Sequence, residues 1–138
     1  MRAYNELYLN DVVEAQGKLF DMVAMNYPEV DTEEFISSYM GSKTRRFIDQ
    51  GMAYVNTMDA PTLLEYYEKT DCIPFVSGCA MKGFLPAWIG EFYAYYQWYY
   101  NIPSAELVER IPVAKLVSMY PGLHDYELEL AVEKVGRI

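Results

Sequence analysis

Glu91 is the only formal charge in the run 88–100 (WIGEFYAYYQWYY), in which eight of thirteen residues are aromatic. A carboxylate on so apolar a helix has two fates. Burial would raise its pKa toward general acid or base use; a place in the first turns would leave it in solvent, favoured by the positive end of the helix dipole. Tyr95 lies one turn on and is a candidate donor to it. With His124, the only histidine, these residues form a candidate ligand-pocket set: Glu91, Tyr95 and His124. Asp125 follows His124, but no serine or cysteine is placed beside them by spacing, and Asp125 reads as a helix cap. A hydrolase triad is therefore unsupported, and no catalytic residue is assigned.

The one basic cluster is 42–46 (SKTRR). At a helix start it could grip a phosphate or an acidic side chain, because arginine offers a planar fork and the helix end offers free N–H groups. It could equally be a solvated face that neutralises Glu33, Glu34 and Asp49. No nucleotide-cradling glycine loop accompanies it. No H-E-x-x-H or paired E-x-x-H pattern exists, and the C-x6-C spacing of Cys72 and Cys79 lacks histidine neighbours, so neither a metal site nor a cofactor is expected. The two cysteines read as reduced and structural.

The remaining aromatic residues divide by direction. Trp88, Ile89, Phe92, Tyr96 and Tyr99 suit one core, whereas Tyr93, Tyr95, Trp98 and Tyr100 occupy other directions. Either neighbouring helices enclose this helix, or part of it faces a partner. On the second reading Tyr95, Trp98 and Tyr99 are candidate anchors, with Lys43, Arg45 and Arg46 a secondary polar contact.

Composition narrows the function classes. The chain has 138 residues, 52% hydrophobic and 22% charged, with fourteen tyrosines. That describes one folded domain, 1–138, and excludes a disordered chain. Twenty acidic against eleven basic residues give a net charge of −9. Nucleic-acid binding and docking on an anionic membrane both call for the opposite sign. A basic protein partner would instead be steered in. The polar N-terminal residues do not read as a secretory signal, and the aromatic run is short of the roughly 20 residues a membrane span needs, so a cytoplasmic location is expected. Self-association through the aromatic stripe is a further reading.

The elements that must position these residues are helical throughout. Tyr8, Val12, Ala15, Leu19 and Met22 keep helical spacing from near Tyr4 to about Asn26, with Gly17 available for a close crossing. Asp31 with Glu34 caps the next helix; Ser42 restarts it after Gly41, and Gly51 ends it. Residues 52–58 are ambiguous. Asp59 and Pro61 open a helix to about Lys69, and 70–85 is an irregular apolar lid. Pro86 starts the aromatic helix, about 87–101. Two short helices follow, about 104–111 and 112–120, closed by Gly122. Asp125 caps a last helix that ends at Gly136. The expectation is an all-α single domain of six to eight short helices around a central aromatic helix.

Four blocks carry a family resemblance: 11–20 (DVVEAQGKLF), 42–45 (SKTR), Trp88-Ile89 with 92–103 (FYAYxQWYYNIP), and 122–125 (GLHD). They span nearly the whole chain. The chain resembles an uncharacterised family of small bacterial cytosolic helical proteins, similar to one found beside ADP-ribosyltransferase-like toxins in small operons. The resemblance implies an antitoxin or accessory role with a basic toxin-like partner, and it supplies no catalytic residues.

Overall fold

A helix that is apolar on nearly every side is stable only when other helices surround it, and α6 (Leu85–Tyr100) is so surrounded. The computed structural model describes residues 1–138. In chain order a 3-10 turn at Glu6–Tyr8 leads into α1 (Leu9–Asn26), α2 (Thr32–Met40), α3 (Lys43–Asp49), the single turn α4 (Ala53–Asn56) and α5 (Ala60–Asp71). After α6 come α7 (Ser104–Arg110), α8 (Val113–Leu123) and α9 (Leu128–Val135). No sheet forms; the only β-type pairing is an isolated bridge between Val30 and Ser77. The fold is all-α with one core, as the sequence pattern predicts, although the short helices number nine because 52–58 resolves as a helical turn.

The packing of α1 against α6 dominates. Gly17 meets Gly90 at the crossing, and Ala3 and Tyr4, ahead of α1, reach Trp98, so the two helices run antiparallel. A Cβ on Gly90 would lie 2.6 Å from the Gln16 carbonyl oxygen and 2.9 Å from the Gly17 Cα. Gly17 was expected to permit a close crossing, and it does. The Gln16 side chain closes the contact by donating from Nε2 to the Gly90 carbonyl at 2.7 Å. Around this pair α5 packs on α1, while α7, α8 and α9 pack on α6. Leu19, Phe20, Ile36, Tyr39, Phe92, Tyr93 and Leu116 are among the side chains that fill the space between.

The local caps follow the sequence closely. Asp31 accepts from the Glu34 N–H, Ser42 from Arg45 and Asp59 from Thr62. Gly51 takes φ +74° just beyond α3, a left-handed conformation that glycine adopts freely. Three boundaries differ from expectation. Asn5 caps the 3-10 turn and α1 proper begins only at Leu9. Gly122 lies inside α8, which continues through Pro121 to Leu123 because His124 still donates to the Tyr120 carbonyl. Asp125 caps nothing; Glu127 takes the position before α9, without a side-chain cap bond.

The irregular stretch between α5 and α6 is held in place by backbone pairing. Asp31 donates to the Val76 carbonyl, Gly78 to that of Glu29 and Thr32 to that of Cys79. Cys72 ends α5 in a left-handed conformation, φ 53°, and both cysteines are free. Both are also exposed, so their side chains add nothing to the core.

Candidate functional site

Along α6 most side chains are enclosed by neighbouring helices. Trp88, Ile89, Phe92, Tyr93, Tyr96, Gln97 and Trp98 are buried. Glu91, Tyr95 and Tyr99, spaced four residues apart and hence stacked along one line of the helix, are half-buried. Enclosure therefore holds for most of the helix, and Glu91, Tyr95 and Tyr99 form an aromatic and acidic stripe partly open to solvent.

The other phenols of α6 find backbone acceptors. Tyr93 donates to the Ile111 carbonyl, Tyr96 to that of Gly136 and Tyr100 to that of Val132. Tyr99 instead reaches a carboxylate, donating to Glu133 Oε2 at 2.6 Å. The Tyr95 and Tyr99 rings stack at 6.1 Å, inclined by 25°. Burial raises the Tyr95 pKa, the negative charges of Glu129 and Glu6 add to the rise, and Arg2 opposes it.

Arg2 lies directly on this surface. Its guanidinium carbon is 3.7 Å from the centre of the Tyr99 ring and 5.4 Å from that of Trp98. Its Nη1 donates to the Tyr99 carbonyl at 2.9 Å. The following residues run over Trp98: Ala3 donates to the Trp98 carbonyl, and the Trp98 indole N–H donates to the Tyr4 carbonyl at 2.8 Å. Trp98, expected as a surface anchor, is only 5% exposed beneath this segment, so the open part of the stripe passes to Tyr95 and Tyr99.

Glu91 packs against Gly17, whose position leaves room for its side chain; an added Cβ there would fall 2.8 Å from the Glu91 Cγ. Burial raises its pKa. Tyr95 does not donate to it, since the ring turns to Trp98 and Tyr99. His124 belongs to a separate group on α8, stacked on Tyr120, which packs edge-on against Trp88. His124 and Asp125 face one another at 3.3 Å, both on the surface and with no nucleophile bonded to them. Five surface clefts of about 110 to 420 Å³ are lined by other residues than Glu91, Tyr95 and His124, so the structure does not gather these three into one of them. No group of three or more potential metal ligands is present.

The basic cluster splits. Lys43 and Arg46 are exposed, whereas Arg45 has no exposed surface. Arg45 points inward because Ser42 fixes the start of α3 and puts residue 45 on the core side. Its Nε lies 3.8 Å from Asp49 Oδ1 and its Nη2 lies 3.4 Å from Gln97 Oε1. Arg45 is thus removed from the solvent-facing contact expected of it. The Asp49 carboxylate also accepts from the Ser104 N–H and hydroxyl; burial pushes its pKa up, against the pull of Arg45 and these bonds. The start of α3 does grip an anion, and it is an acidic side chain of this chain. Asp71 accepts from the Lys43 N–H at 2.7 Å and from the N–H and hydroxyl of Thr44. The phosphate reading loses its site to that carboxylate.

Comparison with protein-family models, with curated proteins and with solved structures yields no match. No helix is long and apolar enough to cross a membrane.

Proposed function

We propose that this chain is a non-enzymatic, acidic protein-interaction module of the antitoxin or immunity kind, which occludes a basic site on a toxin-like partner. The observation that carries this reading is the half-open stripe of Glu91, Tyr95 and Tyr99 on a largely enclosed helix, bordered by Glu6, Glu129 and Glu133. Half-buried tyrosines are held rigid and offer large contact area, which is the character of interface anchors. The surrounding carboxylates and the net charge of −9 would speed encounter with a cationic surface. Lys43 and Arg46, exposed on α3, remain available as a polar contact at a second place.

The test is affinity capture of the tagged chain from its source cells, followed by binding kinetics with whatever co-elutes. A single stoichiometric basic protein is expected, lost on Tyr95→Ala with Tyr99→Ala and retained on Lys115→Ala. Its association rate should fall severalfold in ~0.5 M salt, where screening reaches only a few ångströms. Recovery of no partner, or a partner indifferent to both tyrosines, would sink the proposal.

A further inference from the structure

The same stripe already holds a cation, and that cation belongs to the chain itself. The Arg2 guanidinium carbon sits over the Tyr99 ring, 3.7 Å from its centre, and beside Trp98, with one N–H on the Tyr99 carbonyl. No carboxylate lies within 4 Å of its guanidinium; its salt-bridging counterparts elsewhere in the chain are Lys18, Arg45, Lys69 and Arg110. What holds Arg2 is therefore an aromatic face, a helix-end carbonyl and the field of Glu6, Glu129 and Glu133 around Tyr95 and Tyr99. Attraction of a guanidinium to an aromatic face is a specific chemistry, stronger for a planar fork than for an ammonium.

Resting on the reading above, we infer that the Tyr95–Tyr99 surface is a guanidinium-recognition site and that Arg2 is its built-in competitor, displaced when an arginine side chain of a basic partner segment binds. The surface is acidic and aromatic: the charges of Glu6 and Glu129 act on Tyr95, and Glu133 accepts from the Tyr99 hydroxyl. A second arginine isolates the feature that matters. Arg137 also caps the end of α6, donating from Nη1 to the Tyr100 carbonyl at 3.0 Å, yet it lies on no ring. Capping alone therefore does not require the stacked geometry of Arg2. A partner's arginine would find the same ring, carbonyl and field, with its affinity cut to the fraction of time that Arg2 leaves them free.

The experiment is calorimetric titration of an amidated hexa-arginine peptide, and of hexa-lysine for comparison, into the full chain and its variants at low salt. Arg2→Ala is expected to bind hexa-arginine about fivefold tighter than the parent, the factor that one exposed cation–π contact supplies. Arg137→Ala should match the parent. Tyr99→Leu should lose most of the binding, and hexa-lysine should bind several times more weakly throughout. Equal affinity of Arg2→Ala and the parent, equal affinity for the two peptides, or no binding by any form would each overturn the inference. Independently of any variant, the Arg2 Nε–H resonance of the parent chain, shifted by the Tyr99 ring, should return to its free position as hexa-arginine is added; a resonance that stays put would overturn it too. Capture of a basic partner through Tyr95 and Tyr99, with no gain on Arg2→Ala, would leave the interaction reading standing and remove this one.

Discussion

Arg45 shows how a residue's surroundings can outweigh its type. A guanidinium with no exposed surface is stabilised only by what faces it, and here that is one carboxylate at 3.8 Å and one long contact to Gln97. Its Nε and Nη1 have no closer protein partner, and neither do the hydroxyls of Tyr4 and Tyr39. Arg45→Met would leave the Asp49 carboxylate buried without its countercharge and should cost about 3 kcal/mol or more in chemical denaturation. The Tyr4 hydroxyl, pushed up to a pKa of about 12 by burial, makes no bond to lose. Tyr4→Phe is therefore expected to change stability by less than about 0.5 kcal/mol, whereas Tyr93→Phe, which leaves the Ile111 carbonyl unpaired, should cost about 1 kcal/mol or more. Glu91 sets a pH test. Burial holds its carboxyl above the usual range, so the native chain binds that proton more tightly than the unfolded chain. Stability then falls as pH rises from the unfolded carboxylate range through the folded pKa. Glu91→Gln carries no such charge, so it should gain on the parent between pH 4 and pH 7, with the difference fading below about pH 4.3. A difference constant across that range would put the carboxylate in water. The polar run around Arg45 gave no hint of burial: Asp49 lies one helical turn on and was readable, but Gln97, more than fifty residues away, meets Arg45 only in the folded chain.

Helix ends were the most legible elements because their chemistry is local. Asp31, Ser42 and Asp59 each bond an N–H three residues on, and the sequence contains both partners. Asp125 failed as a cap for the opposite reason: α8 runs further than Pro121 implies, and the following turn places Asp125 beside His124. Helix crossings are less legible. Gly17 was readable as an anomaly inside a helical pattern, but its counterpart Gly90 sits in a run of aromatics where nothing local marks the contact. The pair predicts a sharp contrast. Gly90→Ala would drive a methyl into backbone at 2.6 Å, forcing α1 and α6 apart at a cost of about 3 kcal/mol, or roughly 10 °C in melting temperature. Gly122→Ala meets nothing within 4 Å inside α8 and should be neutral or stabilising by up to ~1 kcal/mol. Equal melting temperatures for the two variants would contradict the close crossing.

For the molecule as a whole, charge and hydrophobicity are separated. One core runs through the helices, with α6 at its centre, while most carboxylates remain at the surface. Helical spacing and local caps were enough to expect an all-α domain, and the net charge of −9 to weigh against polyanionic partners, since the first is a local pattern and the second a sum over the chain. The location of the open stripe was not so legible, because it depends on which faces of α6 the neighbours α1, α7, α8 and α9 leave uncovered. The burial of both tryptophans on this one helix has an optical consequence. Trp88 rests on Phe92 and Tyr120 at one end of α6, and Trp98 lies under the Tyr4 carbonyl and the Arg2 guanidinium at the other. The native chain should emit at short wavelength from two dry indoles that differ in their quenchers. A Trp88→Phe chain would then carry a single emitter whose colour and brightness follow the departure of residues 2–4 from α6, with no added dye.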